Sequence, residues 1–190
     1  AVLLIGTNPR KEAPVLNARI RKAFVARGIP VGVIGPETDL TYKATHVGND
    51  PTAINALNDG SHPFAETLRN AKKPLIIVGQ GALARPDGSA ILAAAWRLAA
   101  TAGALTPEWH GFNVLHTAAA RVGGLDLGFV PGAGGKDVRG ILDGASKGDM
   151  QVVYMLGRDD IARAERAKAI GSYKGSPRGG RDHAARGGSP

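Results

Sequence analysis

Three times in this chain an unbroken apolar run stops at a glycine: Val2-Leu3-Leu4-Ile5 before Gly6, Pro74-Leu75-Ile76-Ile77-Val78 before Gly79, and Val152-Val153-Tyr154-Met155-Leu156 before Gly157. A strand buried on both faces has no wet side, so its residues do not alternate between polar and apolar. Such strands belong to parallel sheets with helices on both sides. The repeated order of strand, glycine turn and helix therefore predicts an α/β fold of layered βαβ units around a mainly parallel sheet. The chain opens directly on such a run, with no start methionine. A buried parallel strand needs neighbours on both edges, so residues ahead of Ala1 are expected to supply part of the sheet, as in a fragment of a longer protein.

The segments between these runs fit the same scheme. Pro14 can begin a helix, since its missing N–H would be unpaired there, and Leu16, Ile20, Ala23 and Phe24 form an apolar stripe that ends at Gly28. Val31-Gly32-Val33-Ile34 reads as the next strand. Residues 39–49 read as irregular, and short helices are expected over 50–57 and 63–70. A long helix is expected to about Ala102, with Ile91, Leu92, Ala95, Leu98 and Ala99 facing inward. Residues 112–122 read as helical, 129–136 as a glycine-rich loop and 138–145 as a short helix. Aromatic residues make up only 5% of the chain, so aliphatic side chains must fill the interior.

The formal charge of +8 would suggest nucleic acid if it were spread over the surface. It is not: residues 161–190 carry +5 and the first 160 residues only +3. Residues 1–160 are thus read as one α/β domain, and 161–190 as a basic tail of Gly, Arg, Ser and Pro too poor in apolar side chains to order itself. Arg178-Gly179-Gly180 and Arg186-Gly187-Gly188 are similar to RNA-binding tail elements, but two copies without interleaved aromatics read as a solvated tail, and no nucleic-acid partner is expected. No apolar stretch approaches the roughly 20 residues of a membrane span. The chain has no cysteine, which excludes disulfides and thiolate ligation of zinc or iron–sulfur clusters within it.

Several local motifs fail on context. Gly79-Gln80-Gly81-Ala82-Leu83-Ala84 has the dinucleotide spacing and follows a strand, but Arg85-Pro86-Asp87-Gly88 separates it from the long helix, so it reads as a strand-to-helix turn. Gly144-Ala145-Ser146-Lys147-Gly148 imitates a nucleophile elbow, yet a helix precedes it where a strand is required. Gly132-Ala133-Gly134-Gly135-Lys136-Asp137 is similar to a phosphate loop but ends in Asp137, which would repel phosphate. His46, His62, His110, His116 and His183 show no metal-ligand spacing and read as surface or capping residues. No catalytic or metal-binding residue is assigned.

The run Gly6-Thr7-Asn8-Pro9-Arg10-Lys11-Glu12-Ala13-Pro14-Val15-Leu16-Asn17-Ala18-Arg19-Ile20-Arg21-Lys22 carries a more specific signal. With Ile34-Gly35-Pro36, Asp39-Leu40-Thr41-Tyr42, Gly60-Ser61-His62-Pro63-Phe64, Asp87-Gly88-Ser89-Ala90-Ile91-Leu92-Ala93-Ala94, Asn113-Val114-Leu115-His116 and Leu125-Asp126-Leu127-Gly128, it resembles the large iron–sulfur subunit family of respiratory complex I, the NADH:quinone oxidoreductase. The resemblance covers about residues 1–160. It implies part of a molybdopterin-oxidoreductase-like domain, related in fold to formate dehydrogenase, that keeps the fold without the cofactor. It also implies 2Fe-2S and 4Fe-4S clusters held by other, cysteine-bearing parts of the parent, and other peripheral-arm subunits as partners. The implied location is the cytoplasmic face of the bacterial inner membrane or the mitochondrial matrix side, without direct membrane insertion. If instead a pterin dinucleotide is bound, the resemblance points to Gly6, Asn8, Pro9, Gly79 and Gly81 as the loop residues that would approach it. After Asp160 the sequence departs from the family pattern, which suggests a shifted reading frame or a truncated gene.

Overall fold

The computed structural model describes residues 1–118, 120–150, 152 and 153. The chain divides into two compact units, Ala1–Val122 and Gly123–Pro190. The first begins with β1 (Val2–Ile5), α1 (Pro9–Glu12), α2 (Pro14–Arg27), β2 (Val31–Ile34) and β3 (Thr45–Gly48). It continues through α3 (Thr52–Asp59), α4 (Phe64–Arg69), β4 (Leu75–Gly79), α5 (Gln80–Leu83) and α6 (Gly88–Thr101). A small hairpin of β5 (Leu105–Thr106) and β6 (Trp109–His110) precedes β7 (Phe112–Leu115). Helix α7 (Arg121–Asp126) crosses into the second unit, whose described part contains α8 (Val138–Lys147).

Five strands form one wholly parallel sheet in the order β3-β2-β1-β4-β7. The α/β expectation with a mainly parallel sheet is met. β1 lies at the centre, with Val2 opposite Val31 on one side and Leu75 on the other. Both of its neighbours come from later in this same chain.

The pleat divides the core into two apolar layers. Leu3, Ile5, Ile34, Ile76 and Val78 face one way and pack with Ile54 and Leu57 of α3, Phe64 and Leu68 of α4, and Ile91, Ala95 and Leu98 of α6. Val2, Leu4, Val31, Val33 and Ile77 face the other way, against Ile20 of α2, Leu40 and the partly buried Phe24 and Tyr42. Gly32 faces the first layer, where an added Cβ would stand 2.6 Å from the Phe64 ring, so the missing side chain is the space the ring uses. Small residues along α6 let that helix approach the sheet closely.

Two element assignments and the facing of one side chain need correction. Residues 45–48, read as irregular, form the edge strand β3. Residues 112–115, read as helical, form β7, because Phe112 to Leu115 pair with Ile76 to Gly79 and the ladder outweighs local helix preference. Leu92, read as inward, is 36% exposed, while Ala94 takes the inward place. The expected strand at 152–156 falls mostly outside the described residues. Its first two, Val152 and Val153, are exposed and not paired into the sheet. The tail at 161–190 also lies outside them.

Candidate functional site

In a parallel sheet with helices on both faces, the strand order reverses where successive crossovers go to opposite sides. The loops leaving the carboxyl ends of the two strands there diverge and leave a crevice. Here the reversal falls between β1 and β4. A groove of about 420 Å³ opens at that end of the sheet, lined by Gly6, Thr7, Asn8 and Glu12 after β1, Gly35 and Pro36 after β2, Asn49, Asp50 and Pro51 after β3, and Gly81, Ala82 and Arg85 after β4.

The topology brings the five candidate residues to one end of the sheet, but with different roles. Gly6, Asn8 and Gly81 line the groove. Pro9 is buried as the first residue of α1. Gly79 abuts the β1 loop, where an added Cβ would lie 2.4 Å from Thr7 Cβ and 2.7 Å from the Gly6 carbonyl oxygen. A Cβ on Gly81 would lie 2.6 Å from that same oxygen. Gly6, at φ 57°, faces Ala82, whose Cβ and backbone nitrogen would both stand 2.5 Å from a side chain there. The three glycines let the two loops pack against each other. The space that glycine opens is filled by protein.

Two hydrogen-bond donors of the β1 loop meet one carboxylate. Asn8 N–H donates to Glu12 Oε1 at 2.7 Å, and the buried Thr7 hydroxyl donates to Glu12 Oε2 at 2.9 Å. Gly6 N–H is held by the Ile34 carbonyl at 2.8 Å, and Pro9 has no N–H to offer. Asn8 Oδ1 is buried without a hydrogen-bond partner among the described residues. Across the groove, Asp50 receives bonds from the Thr52 hydroxyl and backbone N–H, which hold its carboxyl below the ordinary range. The guanidinium of Arg85 is taken by both oxygens of Asp87, at 2.7 and 2.9 Å.

A pterin dinucleotide presents a pyrophosphate, which needs free N–H donors or unpaired cations. In this groove the Thr7 hydroxyl and the Asn8 N–H are already bound to a carboxylate, a second carboxylate stands on the far wall, and Arg85 has its own partner. The residues do not fit that group. Glu12, Asp50 and Arg85 were not legible as groove residues from sequence. The one available signal was a carboxylate shortly after a Thr-Asn pair, but its spacing from Asn8 exceeds that of an ordinary capping box.

The remaining motifs resolve as structure. Asp137 caps α8, its Oδ1 accepting from Gly140 N–H at 2.7 Å. Ser146 sits in the last turn of α8, and its hydroxyl donates to the Asp143 carbonyl at 2.8 Å. His62 Nδ1 accepts from Phe64 N–H at the start of α4, and His46 Nε2 lies 2.9 Å from the Gly35 carbonyl. The Gly79-Gln80-Gly81 turn does lead straight into a helix, but one of a single turn, α5. Among the described residues no three His, Cys, Asp or Glu side chains converge as a metal site would need. No helix among them is long and apolar enough to cross a membrane.

A family model described as molybdopterin oxidoreductase matches residues 1–177. Similar curated proteins include the mitochondrial NADH dehydrogenase (ubiquinone) iron-sulfur protein 1 of Solanum tuberosum, 41% identical over 161 residues, covering 85% of this chain and 20% of that protein. The NADH-ubiquinone oxidoreductase 75 kDa subunit of Reclinomonas americana is 42% identical over 166 residues, 87% of this chain and 23% of its own length. A subunit of the NADH-quinone oxidoreductase of Rickettsia bellii is 38% identical over 173 residues, 91% of this chain and 24% of its own. The chain spans about a fifth to a quarter of the length of these relatives.

Proposed function

This chain belongs to the molybdopterin oxidoreductase family, and from that premise we propose that it is a structural segment of the large iron–sulfur subunit of a NADH:quinone oxidoreductase, in the peripheral electron-transfer arm. Its role there is to hold shape and to pack against cluster-bearing parts, without binding pterin. The observation that carries this reading is the β1 loop, whose Thr7 hydroxyl and Asn8 N–H are spent on Glu12 while the glycines of both loops are spent on each other. The identity to three proteins named as subunits or iron-sulfur proteins of such oxidoreductases supports the same assignment. Electrons would pass through 2Fe-2S and 4Fe-4S clusters held by other parts of the parent, since a chain without cysteine supplies no thiolate.

The proposed partners are the other peripheral-arm subunits. Leu127 and Phe129, 88% and 90% exposed, are side chains that a neighbouring polypeptide would cover. The arm would stand on the cytoplasmic face of a bacterial inner membrane, or on the matrix side in a mitochondrion.

Metal and pterin analysis of the purified parent complex tests the reading. The expected result is iron without molybdenum or tungsten and no releasable pterin. A stoichiometric amount of either metal with pterin would replace the scaffold by a molybdopterin-dependent oxidoreductase that binds its cofactor through Gly6, Asn8, Pro9, Gly79 and Gly81.

A further inference from the structure

We propose that the Glu12 carboxylate is a built-in substitute for a ligand's phosphate: it occupies two converging donors of the β1 loop, the Thr7 hydroxyl and the Asn8 N–H, and so disfavours phosphate-bearing molecules in the switch-point groove. The inference deepens the pterin-free reading above and rests on it.

The groove lies where a doubly wound sheet usually binds phosphates, at the carboxyl end of the central strand beside the strand-order reversal. What makes that place bind anions is a small set of converging donors whose own chain leaves them unpaired. In this chain two such donors converge, the Thr7 hydroxyl and the Asn8 N–H, and one carboxylate meets both, an oxygen to each, at 2.9 and 2.7 Å. That is the bidentate pattern by which an external oxyanion would be held. Glu12 supplies it from one helical turn away, at the exposed mouth of the groove, with its two oxygens turned back onto the loop.

The geometry makes this internal ligand hard to displace. The competing phosphate must break two hydrogen bonds to a carboxylate and leave that carboxylate beside its own charge. It must also approach Asp50, a second anion on the groove wall. Arg85, the cation on the same wall, is bidentate to Asp87 and is not free to compensate. Thr7 is 9% exposed, so its hydroxyl has little water to fall back on when the carboxylate leaves. Removal of Glu12 would instead leave both donors unpaired and remove one negative charge, which turns the groove into a weak anion site.

The probe is inorganic pyrophosphate, titrated by calorimetry into the full-length protein and its variants at low and moderate salt. The basic residues 161–190 contribute the same background to every variant, so the comparison reads the groove. Wild type is expected to show only that background. Glu12→Ala is expected to bind at least about tenfold more tightly, a difference of about 1.4 kcal/mol, Glu12→Gln to fall between the two, and the double variant T7V/E12A to lose the gain. Where E12A does not fold, as judged by circular dichroism, E12Q carries the same comparison. Wild type binding as tightly as the variant, a folded variant that gains nothing, or a gain that survives loss of the Thr7 hydroxyl would each overturn the proposal. Those outcomes, found in a protein free of molybdenum, end this inference alone, whereas molybdenum with pterin in the parent complex ends the reading it rests on.

Discussion

Gly79 and Gly28 show two different reasons for a glycine. Gly28 closes α2 at φ 61° with nothing within 4 Å of an added Cβ, so only its left-handed backbone favours it. Gly28→Ala should therefore cost about 1 kcal/mol. Gly79→Ala drives a methyl into Thr7 and the Gly6 carbonyl and should cost more, about 2–3 kcal/mol, because two backbone loops must move apart. Urea midpoints of the two variants check the order, and a milder G79A would show that the loops are not in contact. Asn17 is a case that apolar periodicity conceals. It lies on the buried face of α2, donates to the Leu40 carbonyl at 3.1 Å and accepts from the Tyr42 hydroxyl at 2.8 Å. Asn17→Ala leaves both partners short of a bond and should cost about 1–3 kcal/mol. Burial pushes the Tyr42 phenol up to about 12 from an ordinary value of 10. The fold favours the neutral phenol, so the stability it contributes is intact below pH 10 and is lost as pH rises from 10 toward 12. Tyr42→Phe should flatten that alkaline decline in thermal melts, and an unchanged profile would assign it elsewhere.

The elements most firmly written in the sequence are those whose local preference and burial agree. β1, β2 and β4 are apolar throughout and bounded by glycine or proline, and α2 and α6 begin and end near their signals. β7 and β3 were not legible because pairing makes them strands. Asn113 and His116 interrupt the apolar pattern of 112–116, and the Ala-rich stretch after them favours helix, yet Ile76 N–H finds the Gly111 carbonyl at 2.7 Å and the ladder with β4 follows. β3 is a short edge strand, partly exposed, whose register against β2 shifts between Val33 and Ile34. At α8 the local signal was the opposite of its first appearance, since Asp137 blocks a phosphate loop because it is a helix cap. Asp137→Ala should cost about 1 kcal/mol of local stability, read as faster amide exchange within residues 138–147. Exposed turn carboxylates act similarly at acid pH. The Thr41 N–H and then Arg10 lower Asp39, the Thr52 hydroxyl lowers Asp50, the Ser61 N–H lowers Asp59 and Arg85 lowers Asp87. Their contribution is present above the ordinary carboxylate range and is lost as pH falls through the lowered values.

At the scale of the molecule, β1 is the residue set on which both core layers depend. Leu3 and Leu4 are fully buried on opposite faces, so Leu4→Ala should cost about 2–5 kcal/mol and, under the proposed scaffold role, reduce the amount of assembled oxidoreductase. Normal assembly with a measurably destabilised L4A chain would argue against a scaffold role. The sequence by itself determined the class of fold, since continuous aliphatic runs separated by helix-length segments can be buried only in a parallel sheet covered on both faces. It also determined that no thiolate chemistry resides in these residues. Only the tertiary structure decided the strand order, which placed the central strand's neighbours within the chain, and the state of the groove. Spacing can show that glycines and donors are present in a loop. Whether they face a ligand or each other depends on atoms brought together from β1, β4 and α1, and here a carboxylate has taken two of the donors.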